Sequence, residues 1–316
     1  MLLTIFVLIA GFTPAAAKDA LDELPPLTAG FARFAIASLL LTLTRALRGD
    51  RSAAEKTPIA PRDYATFAFA AFLCVPVNQA CYLTGVQLSS TSHAGLFYAM
   101  NPVLTYLLTL LLGRAVLGLR LATAALLAFA GAAVIAWESL AAAQSRQMFA
   151  GDVLLFFAVL SWAMFTLAIV PLSTKYGSLR SVTIVMLLGA VMYSPVVLVD
   201  GQRFIVTALS ARALAGFLFI TVLTSYVNYL LWSIAIARID VNRIAVSVNA
   251  SPIVAVIAGY FWRHEPMTRW LGLGAALILL GITLANWERV LALAGRRRVG
   301  VRAVPTAASG FAQPRR

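Results

Sequence analysis

Charge is scarce in this sequence. Only 12% of its 316 residues are charged, and acids number just 12. A soluble domain carries about 25% charged residues, so this chain lacks the polar surface to face water on all sides. Histidine is limited to His93 and His264, and cysteine to Cys74 and Cys81. Neither H-E-x-x-H nor G-x-S-x-G occurs, which removes the zinc-protease and nucleophile-elbow readings. The phosphate-cradling G-x-x-x-x-G-K-[ST] loop is missing too, so direct ATP drive is not expected. No catalytic residue, metal site or cofactor is assigned. The cysteines lie seven residues apart on one apolar stretch. That is about 10.5 Å along a helix axis, beyond disulfide reach, and both are read as packing residues.

What the chain has in abundance is apolar residues, at 61%. A helix crosses the hydrocarbon core with about 20 residues. Ten apolar blocks approach or meet that length: 2–17, 27–47, 64–86, 93–112, 117–137, 153–172, 182–199, 213–236, 244–262 and 270–287. Open sheet edges are not viable in lipid. The expected fold class is therefore an all-α integral membrane protein with ten transmembrane helices. The segment TPAAAKDA after the first block resembles a cleavage site, but no basic stretch precedes the block, so it is read as a membrane helix and not a signal peptide. Its abrupt start leaves room for a longer native N-terminus.

The net charge of +13 follows the loops. With a cytoplasmic N-terminus, the cytoplasmic segments hold 18 basic residues and the opposite side holds Lys18, Arg146, Arg203, Arg212, Arg263 and Arg269. Under the positive-inside rule both termini are cytoplasmic. This distribution argues against nucleic acid as a partner. The basic tail, 291–316, has two open readings: contact with anionic lipid headgroups, or a disordered topological anchor.

Shifting the chain by 150 residues superimposes Asn78 on Asn228, Pro102 on Pro252, Gly131 on Gly281, Trp137 on Trp287 and Glu138 on Glu288. No gap is needed between 78 and 138. Ten helices in two repeats means five in each. Because five is odd, the second repeat enters the membrane from the opposite side. The expected organisation is two inverted five-helix repeats, 1–140 and 150–290, followed by the tail. Inverted repeats are a transporter design with the substrate near the midplane.

Four stretches carry a more specific likeness: ELPPLTAGFARFAIASLLL, VNQACYLTGVQLSSTSHAGLFYAMNPVLTYLLTLLLG, GDVLLFFAVLSWAMFT, and the run from VNYLLWSIAIARID to LGLGAALILLGITL. In order, spacing and duplication the chain resembles the drug/metabolite transporter superfamily, in the ten-helix branch built from two EamA domains. The resemblance implies a bacterial inner-membrane location, and amino acids or related compounds as cargo. It also marks departures. The family's Gly-Glu after helix 4 is here Gly113-Arg114, and its counterpart after helix 9 is His264-Glu265.

Candidate cavity residues follow from helical spacing. Asn78 and Tyr82 are i, i+4, as are Asn228 and Trp232 at the equivalent positions, so each pair shares a face. Gln79 and Tyr229 are also equivalent. Tyr98 and Asn101 stand on helix 4, Asn249 and Ser251 on helix 9, and Trp162 at mid-span on helix 6. This set matches an aromatic cavity with a few hydrogen-bonding groups. The competing reading is polar glue between helices. His93 opens helix 4, either as an interfacial polar residue or as a titratable group facing the path. Arg33, six residues into helix 2, is read first as a structural charge that snorkels or pairs helices, with substrate contact as the alternative. Asp152 is expected to open helix 6, leaving no carboxylate at mid-membrane. Pro102 and Pro252 are kink candidates that free the carbonyls of Tyr98 and Val248. They are expected beside the substrate path, with ordinary structural kinking as the rival.

The leading expectation is a secondary exporter of small metabolites working by alternating access. A channel-like facilitator or exchanger on the same scaffold is the alternative, and a membrane-embedded enzyme or a scaffold is remote. The expected partners are a small-molecule substrate and the lipid bilayer, with the chain a monomer or homodimer. Energy coupling is left open.

Overall fold

The computed structural model describes residues 2–48, 53–115, 118–141, 145–199, 209–238 and 250–287. The regular structure among these residues is all helical, with no strand. Helix α1 covers Leu2–Leu21 and α2 covers Pro26–Leu47. Pro25 is extended ahead of Pro26 at the first helical position, where a missing N–H and a fixed φ suit a helix start. Next come α3 (Pro61–Leu88) and α4 (Thr91–Leu111). They are followed by α5 (Leu119–Ala141), α6 (Ser145–Tyr176) and α7 (Ser178–Tyr193). Helix α8 runs over 211–238, α9 over Ser251–Arg263 and α10 over Arg269–Ala285. Seven of these helices carry a stretch long and apolar enough to cross a membrane, while α7 and α10 are shorter apolar helices.

Two boundaries differ from the sequence expectation. Helix α6 begins at Ser145, because the polar residues Arg146 and Gln147 continue the helix outward. Asp152 therefore lies seven residues inside α6, about 10 Å along the axis, and does not open it. Helix α7 ends at Tyr193, with a separate turn at Val196–Val199. Pro195 explains the break, since it has no N–H to continue the ladder.

The long α6 ties the bundle together. Its first half contributes Leu155, Ala158, Val159 and Ala163 to a core shared with α1, α3, α4, α5 and α10. Its second half contributes Phe165, Ile169, Leu172 and Tyr176 to a core shared with α2, α3 and α7. Outward-facing residues are as apolar as the core: Leu126 is 71% exposed and Phe261 72%. Such faces belong in lipid rather than water.

Helices α5 and α10 approach through glycine. A Cβ on Gly131 would sit 2.7 Å from the Gly274 carbonyl oxygen and 2.7 Å from Ile278 Cγ1. A Cβ on Gly281 would sit 2.7 Å from the Ala124 carbonyl oxygen and 3.0 Å from the Ala128 nitrogen. All three pairs, 131/281, 124/274 and 128/278, are 150 residues apart. The contact therefore exchanges partners under that shift. As numbering rises along α5 it falls along α10, so the two helices run antiparallel. Small residues let helix backbones approach this closely in a membrane.

Polar groups gather at the two ends of the bundle. At the α2–α3 end, Asp63 accepts from Lys175 Nζ at 2.6 Å and from the Tyr176 hydroxyl at 2.6 Å. Arg180 Nη1 donates there to the carbonyls of Glu55 and Thr57. At the α1–α2 end, Asp19 accepts from Arg263 Nη1 and Trp262 Nε1, both at 2.6 Å, and from Arg212 Nε at 3.0 Å. Glu23, beside that cluster, bonds with Ser210 through its side chain and backbone N–H, which holds its carboxyl below the ordinary value. Both cysteines are free, as expected.

Candidate functional site

Two irregular stretches set up the middle of the bundle. In α3 the residues Leu73–Val77 form a π-type turn containing Pro76, and in α8 the residues Phe219–Val227 do the same. The Asn78 N–H donates five residues back to Leu73, and the Asn228 N–H five back to Leu223. These positions match at the 150-residue offset. Each wide turn adds a residue to the helical register and re-aims the side chains that follow. Pro76, with no N–H, accounts for the first. The second contains no proline; within it Ser225 Oγ donates five residues back to the Ile220 carbonyl at 3.0 Å.

Asn78 is the hub that results. Buried at 1% exposure, it places Nδ2 2.9 Å from the Tyr98 hydroxyl, 2.7 Å from the Ala158 carbonyl and 3.3 Å from the Ser161 hydroxyl. Its Oδ1 accepts from Gln79 Nε2 at 2.7 Å. Tyr82 meets Tyr98 edge-on, with ring centroids 5.1 Å apart. Trp162 packs 5.1 Å from Phe165 and 6.3 Å from Tyr229. Thus Asn78, Gln79, Tyr82, Tyr98, Trp162 and Tyr229 come together from α3, α4, α6 and α8.

Arg33 joins this group. It does not snorkel. At 5% exposure it points inward, with Nε donating to Ser225 Oγ at 2.5 Å and Nη1 to Gln79 Oε1 at 3.2 Å. Its guanidinium carbon lies 5.3 Å from the Phe34 ring centroid.

The Asn-Pro break is visible. Helix α4 divides into Thr91–Ala99 and Asn101–Leu111, with Met100 at φ −72°, ψ −10° between them. Ala250, the counterpart of Met100, has φ −82°, ψ −14° and precedes Ser251-Pro252. The first half of α4, Thr91–Ala99, packs on α9 where Gly95 faces Ala255, with no room for a Cβ on the glycine. Asn101 is half-buried and accepts from Thr105 Oγ1 at 3.3 Å. Ser251 Oγ and Asn228 Oδ1 are buried without a hydrogen-bond partner among the described residues.

His93 lies elsewhere. Its Nδ1 is 3.0 Å from Asp152 Oδ1, and both residues are buried. Ser89 Oγ donates to the same carboxylate oxygen at 2.5 Å, and Ser139 Oγ to the other at 2.5 Å. The carboxylate thereby joins α3, α4, α5 and α6. Lys18 Nζ donates to the carbonyls of Ser89 and Val86. Glu265 reaches across to the start of α4, accepting from the N–H groups of Thr91 and Ser92 at 2.6 and 2.9 Å. A carboxylate there satisfies orphan donors and meets the positive end of the helix.

Trp232 also lies outside the central group. It is 37% exposed and its ring is 5.7 Å from Phe6. Asn249 lies outside the described residues. Two central residues were missed by sequence reasoning, Ser161 and Ser225. Each had a weak signal: Ser161 adjoins Trp162, and Ser225 stands three residues before Asn228 on one helix face.

The matches to known proteins agree with this geometry. The family model described as EamA-like transporter family matches residues 1–137 and again 149–287. An uncharacterized transporter of Archaeoglobus fulgidus is 24% identical over 269 residues, 85% of this chain and 90% of that protein. A Streptantibioticus cattleyicolor protein named "Probable terminal-alkyne amino-acid exporter" is 30% identical over 206 residues, 65% of this chain and 66% of its own length. A solved crystal structure with 17% identity and a TM-score of 0.61 covers 92% of this chain and 97% of that one, a likeness of fold. Matched in both halves by one family model, and lying among relatives that are transporters, the chain belongs to the EamA-like transporter family and is a multi-pass membrane transporter, not an enzyme.

Proposed function

We propose that the chain is a secondary transporter that exports small metabolites, amino acids or their relatives, by alternating access. The observation that carries this reading is the polar and aromatic centre around Asn78, Tyr82, Tyr98, Trp162 and Tyr229. It draws on both matched halves of the chain, so rocking one half against the other would open it to either side. The name of the Streptantibioticus relative supports an amino-acid cargo and the export direction.

In this proposal ten helices cross the membrane as two inverted repeats, 1–140 and 150–290. The reciprocal approach of antiparallel α5 and α10 supports a two-fold axis in the membrane plane. Both termini are cytoplasmic, which places the Asp63 and Arg180 cluster inside and the Asp19 cluster outside. The basic tail, 291–316, rests on anionic lipid. Pro102 and Pro252 break their helices beside the path, where a polar lining takes up freed backbone groups. Asn101, Asn228 and Ser251 offer polar atoms to the solute.

The test is a resistance screen. Cells overexpressing the protein should survive toxic amino-acid analogues better than controls, and Trp162→Ala or Asn101→Ala should abolish the protection at equal expression. Absence of resistance to every analogue counts against the amino-acid reading. Uphill accumulation in proteoliposomes separates a coupled transporter from a facilitator.

A further inference from the structure

We propose that Arg33 is an anion anchor at the centre of the bundle, so that the cargo carries a carboxylate bound by this guanidinium; the proposal rests on the transporter reading above and names its solute class.

An arginine cannot shed its charge in a protein. Arg33 is almost wholly buried. Burying an uncompensated ion costs several kcal/mol. Arg263, which is only partly buried, has the carboxylates of both Asp19 and Asp22. Arg33 has none among the described residues. Its two acceptors, Ser225 Oγ and Gln79 Oε1, are neutral. The ionisable groups that act on it are Tyr82, Tyr229, Tyr98 and Cys74, all uncharged at neutral pH. The described acids lie in the end clusters and in the His93 network, not here.

The geometry is that of a half-filled fork. Nε is held by Ser225 on α8 and Nη1 by Gln79 on α3. Nη2 donates to no side chain or carbonyl among the described residues. A guanidinium presents paired N–H donors suited to a carboxylate's two oxygens. The two neutral contacts fix the plane of the fork and leave donors for a solute. Tyr82, Tyr98 and Tyr229 then offer ring surface to the rest of the molecule. A purely structural role in pairing α2 with α3 and α8 would be met at lower cost by a neutral glutamine.

The test uses the full-length protein in detergent and matched acid–amide pairs: L-phenylalanine with L-phenylalaninamide, and L-leucine with L-leucinamide. Thermal unfolding and tryptophan fluorescence titration read binding directly. The acid of at least one pair should bind wild type about tenfold or more tightly than its amide, in line with a hydrogen bond to a charged group. Arg33→Gln should erase that preference, and Arg33→Lys should retain part of it. Ser225→Ala, which leaves the charge in place, should weaken the acid selectively, so the proposal stays testable even if Arg33→Gln does not fold. Equal binding of acid and amide, no binding of any acid, or an undiminished acid preference in Arg33→Gln would each overturn the anchor. Counterflow in proteoliposomes is measured separately. Uptake without acid preference sinks the anchor and leaves the transporter reading standing; acid-selective binding without uptake does the reverse.

Discussion

Asn78 and Asn228 are equivalent in sequence, yet the structure makes them unequal in energy. Replacing Asn78 by Ala removes its links to the Tyr98 hydroxyl, the Ala158 carbonyl, the Ser161 hydroxyl and the Gln79 amide. Side-chain hydrogen bonds between membrane helices average about 0.6 kcal/mol each, so the four are worth about 2 kcal/mol. At the lower end of ~2–4 °C per kcal/mol, thermal unfolding should fall by about 4 °C. Asn228→Ala is different. Its Oδ1 is buried with no partner among the described residues, and removing an unsatisfied acceptor is close to neutral. Its melting temperature should fall by clearly less than that of Asn78→Ala. Both variants, purified in one detergent and followed by tryptophan fluorescence on heating, give the comparison. If Asn228→Ala melts lower than Asn78→Ala, the hydrogen-bond assignment at the centre is wrong.

Other expectations follow from single positions. His264 is left-handed at φ 55°, as Gly113 is at φ 68° after α4; His264→Gly should gain about 1 kcal/mol by releasing side-chain crowding, read as a higher melting temperature. Gly131→Ala and Gly281→Ala should each cost about 1–3 kcal/mol by overpacking α5 against α10, whereas Gly272→Ala, with open space around it, should be neutral or slightly stabilising; equal effects at all three sites would contradict the close approach. Asp152→Ala strips His93, Ser89 and Ser139 of their shared acceptor and should destabilise by about 3 kcal/mol or more, with Asp152→Asn less severe. Glu23 has its folded-state pKa depressed by Ser210. Its contribution is therefore present above the ordinary carboxylate pKa and lost as pH falls through the depressed value. Glu23→Gln should flatten that acid-side slope in a melting-temperature series across pH.

Composition and periodicity carried the helical membrane class, because apolar length has one physical meaning in a bilayer. The 150-residue shift was equally legible, and it reappears in the two π-type turns, in Met100 and Ala250, and in the glycine contacts. That Asn78 and Tyr82 share a face was readable from their i, i+4 spacing; that Tyr98 from α4 and Trp162 from α6 meet them was not. Direction was not readable. Arg33 six residues into a helix can point out or in, and only Ser225 on α8 and Gln79 on α3 show which. Asp152 was misplaced because polar Arg146 and Gln147 look like loop yet extend α6. His93 found its partner 59 positions away, a pairing that no local pattern announces. Trp232 was grouped with Asn228 by spacing and shares its regular helix, but its ring meets Phe6 on α1, a contact between helices that spacing does not announce.

The reciprocal glycines of α5 and α10 also bear on how the protein is made. Helix α5 closes the first half of the chain and its partner is the last described helix, about 150 residues later. At roughly 5–20 residues per second of synthesis, α5 waits on the order of 8–30 s in the bilayer with its small-residue groove against lipid. The α5–α10 contact is thus the last to form among the described helices. A chain stopped short of Gly281 would leave the small-residue face of α5 uncovered, the kind of exposed helix seam that membrane quality control can recognise.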